Sequence, residues 1–324
     1  YTYYRIIDAC NSGFAAAGGD ENVPETPKTR VYWAECKTAR AYAYFNLENL
    51  YNGDYATCKD KKVLPIYNKQ GMDNQSPSTN EKVYQFILND LNDAISAFQS
   101  AVEEDEEAVP TSIDQPSLAV ALTLKAATAA VAAITEARTQ GLSILSENDM
   151  FFGFNSVNNN NWLWGMDVTA ENTAGLCTFW GMMDLYTYSY TAAGDFKVIN
   201  SDLFNQIPAT DARRDWFTES PYYRKYAGTP IESLCLLPTG KFYSNISHTI
   251  MGDRSWESDI HFMRVEECYL IAAEAYARQG NLPQARTYLK AILDNRDTAT
   301  AETLGSMTQE QLLDEIFFNW RVEM

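Results

Sequence analysis

The sequence predicts a mainly α fold of packed helical hairpins, interrupted by one irregular segment that carries short strands. Three observations predict it. Small and large apolar residues recur at helical spacing over Arg30–Tyr51, Asn80–Val102, Ser117–Arg138 and Phe262–Leu293. Glycine, proline and polar residues punctuate these runs at discrete places. From Asn155 to Asp259 the helical period is lost, while Gly, Asn, Thr and aromatic residues accumulate and short runs such as Trp162-Leu163-Trp164 appear.

The elements follow in chain order. Tyr1-Thr2-Tyr3-Tyr4-Arg5-Ile6-Ile7 already has a helix-like pattern, which a Gly-, Pro- and polar-rich loop at 16–28 ends. Over Arg30–Tyr51, Ala39 and Ala43 alternate with Trp33, Tyr42, Phe45 and Leu50, predicting a packed helix with a polar side over about six turns. After a loop around Lys69–Thr79, Val83, Phe86, Ile87, Leu91, Ala94 and Phe98 form one stripe of a helix that Asn80 is placed to cap. The run Glu103-Glu104-Asp105-Glu106-Glu107 predicts a solvated inter-helix loop, since like charges repel and resist packing; calcium binding is the alternative. Alanine is so frequent over Ser117–Arg138 that this helix must lie close to its neighbours. Phe262–Leu293 reads as two short helices, one with Tyr269, Ala272, Ala273 and Tyr276 on a face and one with Ala285, Leu289 and Ile292. Gly280 suits a left-handed cap between them, and Pro283 suits the first turn of the second. These offsets match the tetratricopeptide helix pair, a unit that stacks on copies of itself to bury its apolar face, so hairpins in series predict a solenoid-like scaffold.

Composition narrows the function. The 324 residues are 46% hydrophobic and 13% aromatic, enough for a large core. A net charge of −18 repels phosphate backbones and anionic lipid, excluding nucleic acid as a partner class. No apolar stretch reaches the roughly 18 residues of a membrane span, and no charged-then-apolar leader is present. The six cysteines, Cys10, Cys36, Cys58, Cys177, Cys235 and Cys268, contain no CxxC pair, which argues against a zinc site. Cys36 and Cys268 sit in helical apolar patterns and read as buried thiols; export would permit a disulfide, whose partners the spacing does not choose. With only His248 and His261, a histidine triad or multi-histidine metal centre lacks material, and no glycine loop cradles a nucleotide. No cofactor is expected. Paired-carboxylate hydrolysis could draw on Asp167, Asp184 or Asp195, but acidic residues are too many for any pair to stand out, and the reading is a protein that is not an enzyme.

The positive signal is aromatic density. Trp162, Trp164, Trp180, Tyr186, Tyr188, Tyr190, Trp216, Tyr222, Tyr223 and Trp256 all lie between 155 and 259. A flat aromatic ring covers the C–H face of a pyranose while amides, carboxylates and backbone groups bond its hydroxyl rim, at low conformational cost. In WGMMDLYTYSY, an extended backbone would put Tyr186, Tyr188 and Tyr190 on one face. Ligand contact is therefore expected at Trp180, Tyr186, Tyr188, Tyr190 and Trp162, with Trp164 and Trp216 expected in the core. Arg213 and Arg214 read as salt-bridge partners of Asp211 or Asp215, or as a site for a carboxylated sugar; Asn158 to Asn161 read as a turn-rich loop.

Motif order brings a family into view. RAYAYFNL within Arg30–Tyr51, the Asn52-Gly53-Asp54 turn and Val63-Leu64-Pro65-Ile66 resemble the "RA-YF-L...GD-VPL" segment of SusD/RagB-like outer-membrane lipoproteins. VYQFILNDLNDAI is similar to that family's next helix, DLFNQIPATDARRDWF to its "LYD-I-TD-R" segment, and MRVEECYLIAAEAYARQGN to "LR-AE-YL-AEA--GN". IFFNWRVEM resembles "I--ER-VEL", although Asn319 and Trp320 stand where an acidic and a basic residue are usual. The resemblance covers nearly the whole chain. It implies a right-handed superhelical scaffold of tetratricopeptide-like hairpins in a single domain over 1–324 that is incomplete at both ends. Within it, 1–146 is the N-terminal helical scaffold, 155–259 the aromatic-rich ligand-binding insert and 262–324 the C-terminal helices. It further implies a lipid-anchored protein on the extracellular face of the outer membrane, which binds oligosaccharide and passes it to a SusC-like TonB-dependent transporter without catalysis. Peptide capture, as in RagB-like members, and a helical-repeat protein-interaction scaffold are the alternatives.

Overall fold

A computed structural model describes residues 2–52, 55–110, 112–125, 134, 137–138, 141–193, 195–217, 222–226, 229–234, 236–244 and 256–324. Helices dominate among them, and the chain divides into two compact units, 1–136 and 137–324. The aromatic insert and the C-terminal helices therefore share one unit.

In the first unit, α1 (Thr2–Ala16), α2 (Pro27–Tyr51) and α3 (Asn80–Glu104) pack around small buried residues, with Ala34, Ala41, Ala43, Ala94 and Ala101 all inaccessible. Thr26 caps α2 and Pro27 opens it, consistent with a first turn that has no use for the missing donor. At α3 the cap is Thr79, whose hydroxyl accepts from the Lys82 amide at 3.4 Å; Asn80, expected there, is instead fully buried inside the helix. A short strand pair, β1 (Lys62–Leu64) with β2 (Ser78–Thr79), returns the chain from the loop around 69–77. The acidic run ends α3 with Glu103 and Glu104, continues beyond it and is exposed throughout. Only α4 (Leu118–Lys125) of the expected 117–138 helix can be followed continuously; 126–133 lie outside the described residues, as do Gly53 and Asp54.

A guanidinium sits at the centre of this unit. Arg40, fully buried, reaches Asp90 through Nε (2.8 Å) and Nη2 (2.7 Å), Asp20 at 2.9 Å and Asn11 Oδ1 at 2.8 Å. Its plane lies against Phe14 (4.5 Å) and Phe86 (4.9 Å). Lys37 adds contacts to Asp20 at 2.7 Å and Asp93 at 3.0 Å. This bidentate geometry is what arginine does and lysine does not.

In the second unit, β3 (Trp162–Met166) pairs antiparallel with β6 (Ile260–Arg264), so the two ends of the insert are tied together. Between them lie α5 (Phe179–Met183), α6 (Ser201–Gln206) and the hairpin of β4 (Tyr222–Tyr226) with β5 (Thr229–Leu234). The strand β6 occupies Phe262 and Met263, so α7 starts at Val265 and not at Phe262. Helices α7 (Val265–Arg278) and α8 (Leu282–Leu293) form the expected hairpin. Gly280 has φ +78°, its amide donates to Ala277 O and the Asn281 amide to Tyr276 O, closing a Schellman cap that a Cβ would strain. Tyr276 and Tyr288 stack across the pair at 5.7 Å. Helix α9 (Gln309–Glu323) starts in a capping box between Thr308 and Gln311.

Its last residue is the hub of the unit. Glu323, fully buried, accepts from Arg296 Nε (3.0 Å) and Nη2 (3.2 Å), Arg213 Nη1 (3.3 Å) and Arg264 Nη1 (3.4 Å). Arg213 also bonds Asp211 at 2.7 Å and Asn319 Oδ1 at 2.8 Å; Arg296 donates to Leu145 O at 2.8 Å and lies 3.4 Å from Glu266. Asn319 thus accepts from Arg213 in the place of the usual acidic residue. Burial alone would raise the Glu323 carboxyl, but Arg296, Arg264 and Arg213 outweigh it and hold the group well below the ordinary carboxylate range.

Two predictions follow from these charges. Because the Glu323 pKa is depressed on folding, its contribution is present above the unfolded value of about 4.3 and lost as pH falls through the folded value. Glu323→Leu, which strands three arginines, is expected to destabilise the second unit by about 3–5 kcal/mol in urea unfolding at neutral pH and to flatten the acid limb of the stability curve. Glu35 on α2 behaves oppositely: burial first, then Cys36 and Asp114, push its carboxyl up to about 8, and Oε1 has no hydrogen-bond partner. The folded chain then holds a proton that the unfolded chain has released, so stability falls as pH rises from about 4.3 through 8. Glu35→Gln should match the parent below about pH 4 and exceed it increasingly toward pH 8, read as the urea midpoint.

Candidate functional site

The segment that follows α5 is shaped by a buried carboxylate. Asp184 Oδ1 accepts from the Tyr186 amide at 3.0 Å, and Oδ2 accepts from the amides of Thr187 and Ser244, both at 3.2 Å. Ser189 Oγ donates to Asp184 O at 2.6 Å, and Thr191 Oγ1 donates to Met182 O. These bonds wrap 184–189 into turns, and Tyr190–Ala193 is a short helical piece. The run is not a continuous strand, but burial alternates along it: Leu185, Thr187 and Ser189 are buried, while Tyr186 is half-buried and Tyr188 and Tyr190 are exposed. Asp259 clamps the other side, with Oδ2 accepting from the Val157 amide (2.8 Å) and Oδ1 from the Val168 amide (2.9 Å). Burial raises the Asp259 carboxyl, against those two donors.

The five expected ligand contacts divide by burial. Trp180 is fully inaccessible, donates through Nε1 to Asp259 O at 3.1 Å, and meets Phe179 edge to face at 5.1 Å. Gly181 beside it has no room for a Cβ, which would strike the Leu176 carbonyl. Trp162 is equally inaccessible, 5.4 Å from His261, over Gly165, where a Cβ would lie 2.7 Å from the indole. Neither ring presents a face to solvent, which corrects their placement on an exposed platform: each fills the space between the insert's paired ends. Tyr186 is half-buried. Tyr188 and Tyr190 are exposed, at 38% and 41%.

A third aromatic joins them that no motif singled out. Trp256 Nε1 donates to Tyr188 O at 2.8 Å, and the ring lies over the Gly175 turn, 3.7 Å from where a Cβ would stand. Thr173 Oγ1 holds the Trp256 carbonyl at 3.3 Å, and Met182 is exposed nearby in sequence to Asp184. Aromatic density includes Trp256, but nothing local joins it to Tyr188, whose carbonyl is 68 residues away in the chain. Tyr188 and Tyr190 are thus exposed and Trp256 half-buried beside Tyr188, on a segment whose Tyr186 and Thr187 amides Asp184 already holds.

Other candidates are framework. Trp164 packs on Phe262 at 5.2 Å, and Trp216, inaccessible, donates to Met150 O at 3.0 Å. Arg213 bridges Asp211 as expected, whereas Arg214 lies over Phe204 (4.3 Å) and donates to Ile207 O at 2.8 Å. Asp195 pairs with Lys197 at 2.7 Å, and Asp184 serves the turn. Asn161 is buried and donates to Glu266 at 2.9 Å. His261 is held well below the ordinary imidazole range by burial, then by Arg264 and Lys241; His248 lies outside the described residues, as does Cys235. A cavity of about 720 Å³ is lined by Glu147, Phe151, Pro208, Arg214 and Asp215 among others, with one aromatic ring and an arginine already bonded. Among the described residues no group of three or more His, Cys, Asp or Glu is placed to hold a metal ion, and no helix is long and apolar enough to cross a membrane.

Residues 221–324 match the model of the SusD family. Across 99% of the chain, the fold is similar to a SusD-like carbohydrate binding protein from Bacteroides vulgatus, with a TM-score of 0.76, 21% identity and 65% of that chain covered. It is also similar to a SusD superfamily protein from Bacteroides thetaiotaomicron (TM-score 0.73, 20% identity, 99% and 71% covered) and to NanU of B. fragilis (TM-score 0.67, 16% identity, 99% and 73% covered). The fold is SusD-like. The chain spans about two thirds of the length of these structures, 65% of the first. No curated protein matches it in sequence. The SusD-like motifs meet in space: Asp211 and Arg213, Arg264 and Glu266, and Glu323 all belong to the buried charge network, and Arg40 and Asp90 to the other.

For this insert, the burial pattern sets opposite expectations for two aromatic truncations. Trp180→Ala should cost about 3–5 kcal/mol of stability, seen as a lower melting temperature. Tyr188→Ala should leave the melting temperature nearly unchanged.

Proposed function

We propose that this chain captures oligosaccharide at the cell surface and delivers it to a SusC-like TonB-dependent outer-membrane transporter, with no bond broken. The observation that carries the reading is the exposure of Tyr188 and Tyr190, with half-buried Trp256 bonded to the Tyr188 carbonyl, on loops fixed by Asp184 and Asp259. Rings held in place lose little freedom on contact with a sugar, so their area converts to affinity efficiently. The carboxylates of Asp184 and Asp259 are taken up by backbone amides, an arrangement suited to holding a glycan rather than cleaving it. The match to the SusD family and the likeness to a carbohydrate binding protein of B. vulgatus support the same ligand class. Lipid anchoring at the outer face of the outer membrane belongs to this reading.

The first test is a glycan panel followed by intrinsic tryptophan fluorescence, with calorimetry on each hit. A selective response to one oligosaccharide class is expected. Trp256→Ala and Tyr190→Ala should each weaken that binding by about 1–2 kcal/mol while the fold is kept. Silence across glycans with binding of peptides would replace the ligand class. For the partner, the chain should co-purify with a TonB-dependent transporter encoded beside it, and a consistent lack of one would remove the delivery step.

A further inference from the structure

Helices α1 and α2 run antiparallel in the first unit, and their side chains meet in a regular ladder. Tyr4 is edge-on to Tyr44 at 6.4 Å, Asn11 Oδ1 accepts from Arg40 Nη1 at 2.8 Å, and Phe14 meets Trp33 at 6.1 Å. Cys10 and Cys36 fall between these rungs, next to Asn11 on one helix and one turn before Arg40 on the other. The Cys10 and Cys36 thiols influence each other across this interface, each shifting the other's pKa. Gly13, one turn after Cys10, leaves the space that the Cys36 sulfur uses, since a Cβ there would stand 3.1 Å from Sγ. Cys10 is buried, at 6% exposure, while Cys36 is partly open to solvent.

We propose that Cys10 and Cys36 are a disulfide-forming pair that ties α1 to α2 in an oxidising compartment. The oxidant is a disulfide, of a small molecule or of an oxidoreductase. Cys36 is the entry point, being the less buried residue of the two; the neighbouring Cys10 thiol lowers its pKa against the effect of burial, helped by Arg40. The Cys36 thiolate attacks one sulfur of the oxidant, the oxidant's S–S bond breaks, and one thiolate leaves while a mixed disulfide forms on Cys36. Cys10 then loses its proton and attacks the Cys36 sulfur, forming the Cys10–Cys36 bond and expelling the second thiol. Two protein thiols are oxidised and one disulfide is reduced. The Arg40–Asn11 bond and the ring contacts hold the two helices together on both sides of the pair, so the cysteines are kept at the same level of the interface. The link closes the connection that turns at Gly18 and Gly19, both in the left-handed region.

The test uses the full chain treated with oxidised glutathione, then alkylated and mapped by mass spectrometry. The two cysteines lie in separate tryptic peptides, 6–28 and 31–37. The expected product is the cross-linked pair of peptides as the main form, with a higher urea midpoint than the reduced chain. Cys10→Ser should retain glutathione on Cys36, trapping the mixed disulfide. Wild-type chain that keeps glutathione on Cys36, or that leaves both sulfurs free for alkylation, overturns the proposal, and the wild-type result stands alone if the serine variant fails to fold.

Discussion

Each unit of this protein is organised by arginine buried against carboxylate. Arg40 is held by Asp90 and Asp20 in the first, and Arg213, Arg264 and Arg296 converge on Glu323 in the second. Taking these charges out of water is costly, and their mutual attraction offsets the cost only with near-complete hydrogen bonding. That requirement constrains everything around them. In the second unit, the side chains come from the turn at 211–213, the end of β6, the start of α7, the segment after α8 and the end of α9, so the network is satisfied only when all five are in place.

The constraint also seats the insert. Arg264 ends β6, which pairs with β3, and Asp259 lies just before that strand. The strand pair therefore anchors the two ends of a long irregular segment to the most rigid part of the unit. Lys241 extends the anchoring, donating to the Glu323 carbonyl at 2.9 Å while lying over Trp216 at 4.5 Å; burial, then Arg264, holds its pKa well below the ordinary value. Within the insert, Asp184 and Asp259 repeat the device on a smaller scale, satisfying backbone amides that a loop would otherwise leave to water. Irregular backbone made rigid in this way can present side chains with little entropy left to lose.

Aromatic residues close together in sequence ended in opposite roles. Trp180 became a core residue with its indole N–H on Asp259, and Tyr188, eight positions on in the same aromatic run, became surface. The difference lies in the polar atom available to each. A buried indole needs an acceptor, and the Asp259 carbonyl supplies one. Past Asp184 burial alternates, with Leu185, Thr187 and Ser189 inward, so Tyr188 and Tyr190 reach solvent.

The helices, their breaks and the hairpin cap at Gly280 were legible in the sequence, because periodicity, small-residue packing and left-handed glycine are local properties. So were the motif residues, although their purpose was not: Asp211, Arg213, Arg264, Glu266 and Glu323 are spread over more than a hundred positions, and only the fold makes them one network. The start of α7 was misplaced because Phe262 and Met263 carry a helical pattern yet are claimed by pairing with β3, a partner far off in the chain. The site was half legible. Composition located it in the insert and picked out Tyr188 and Tyr190, but burial removed Trp162 and Trp180, and Trp256 entered through a bond across 68 residues. What a residue is and how its neighbours repeat were determined by sequence alone; which aromatic faces water, and which cysteine faces Cys10, were decided by tertiary contacts that no local spacing encodes.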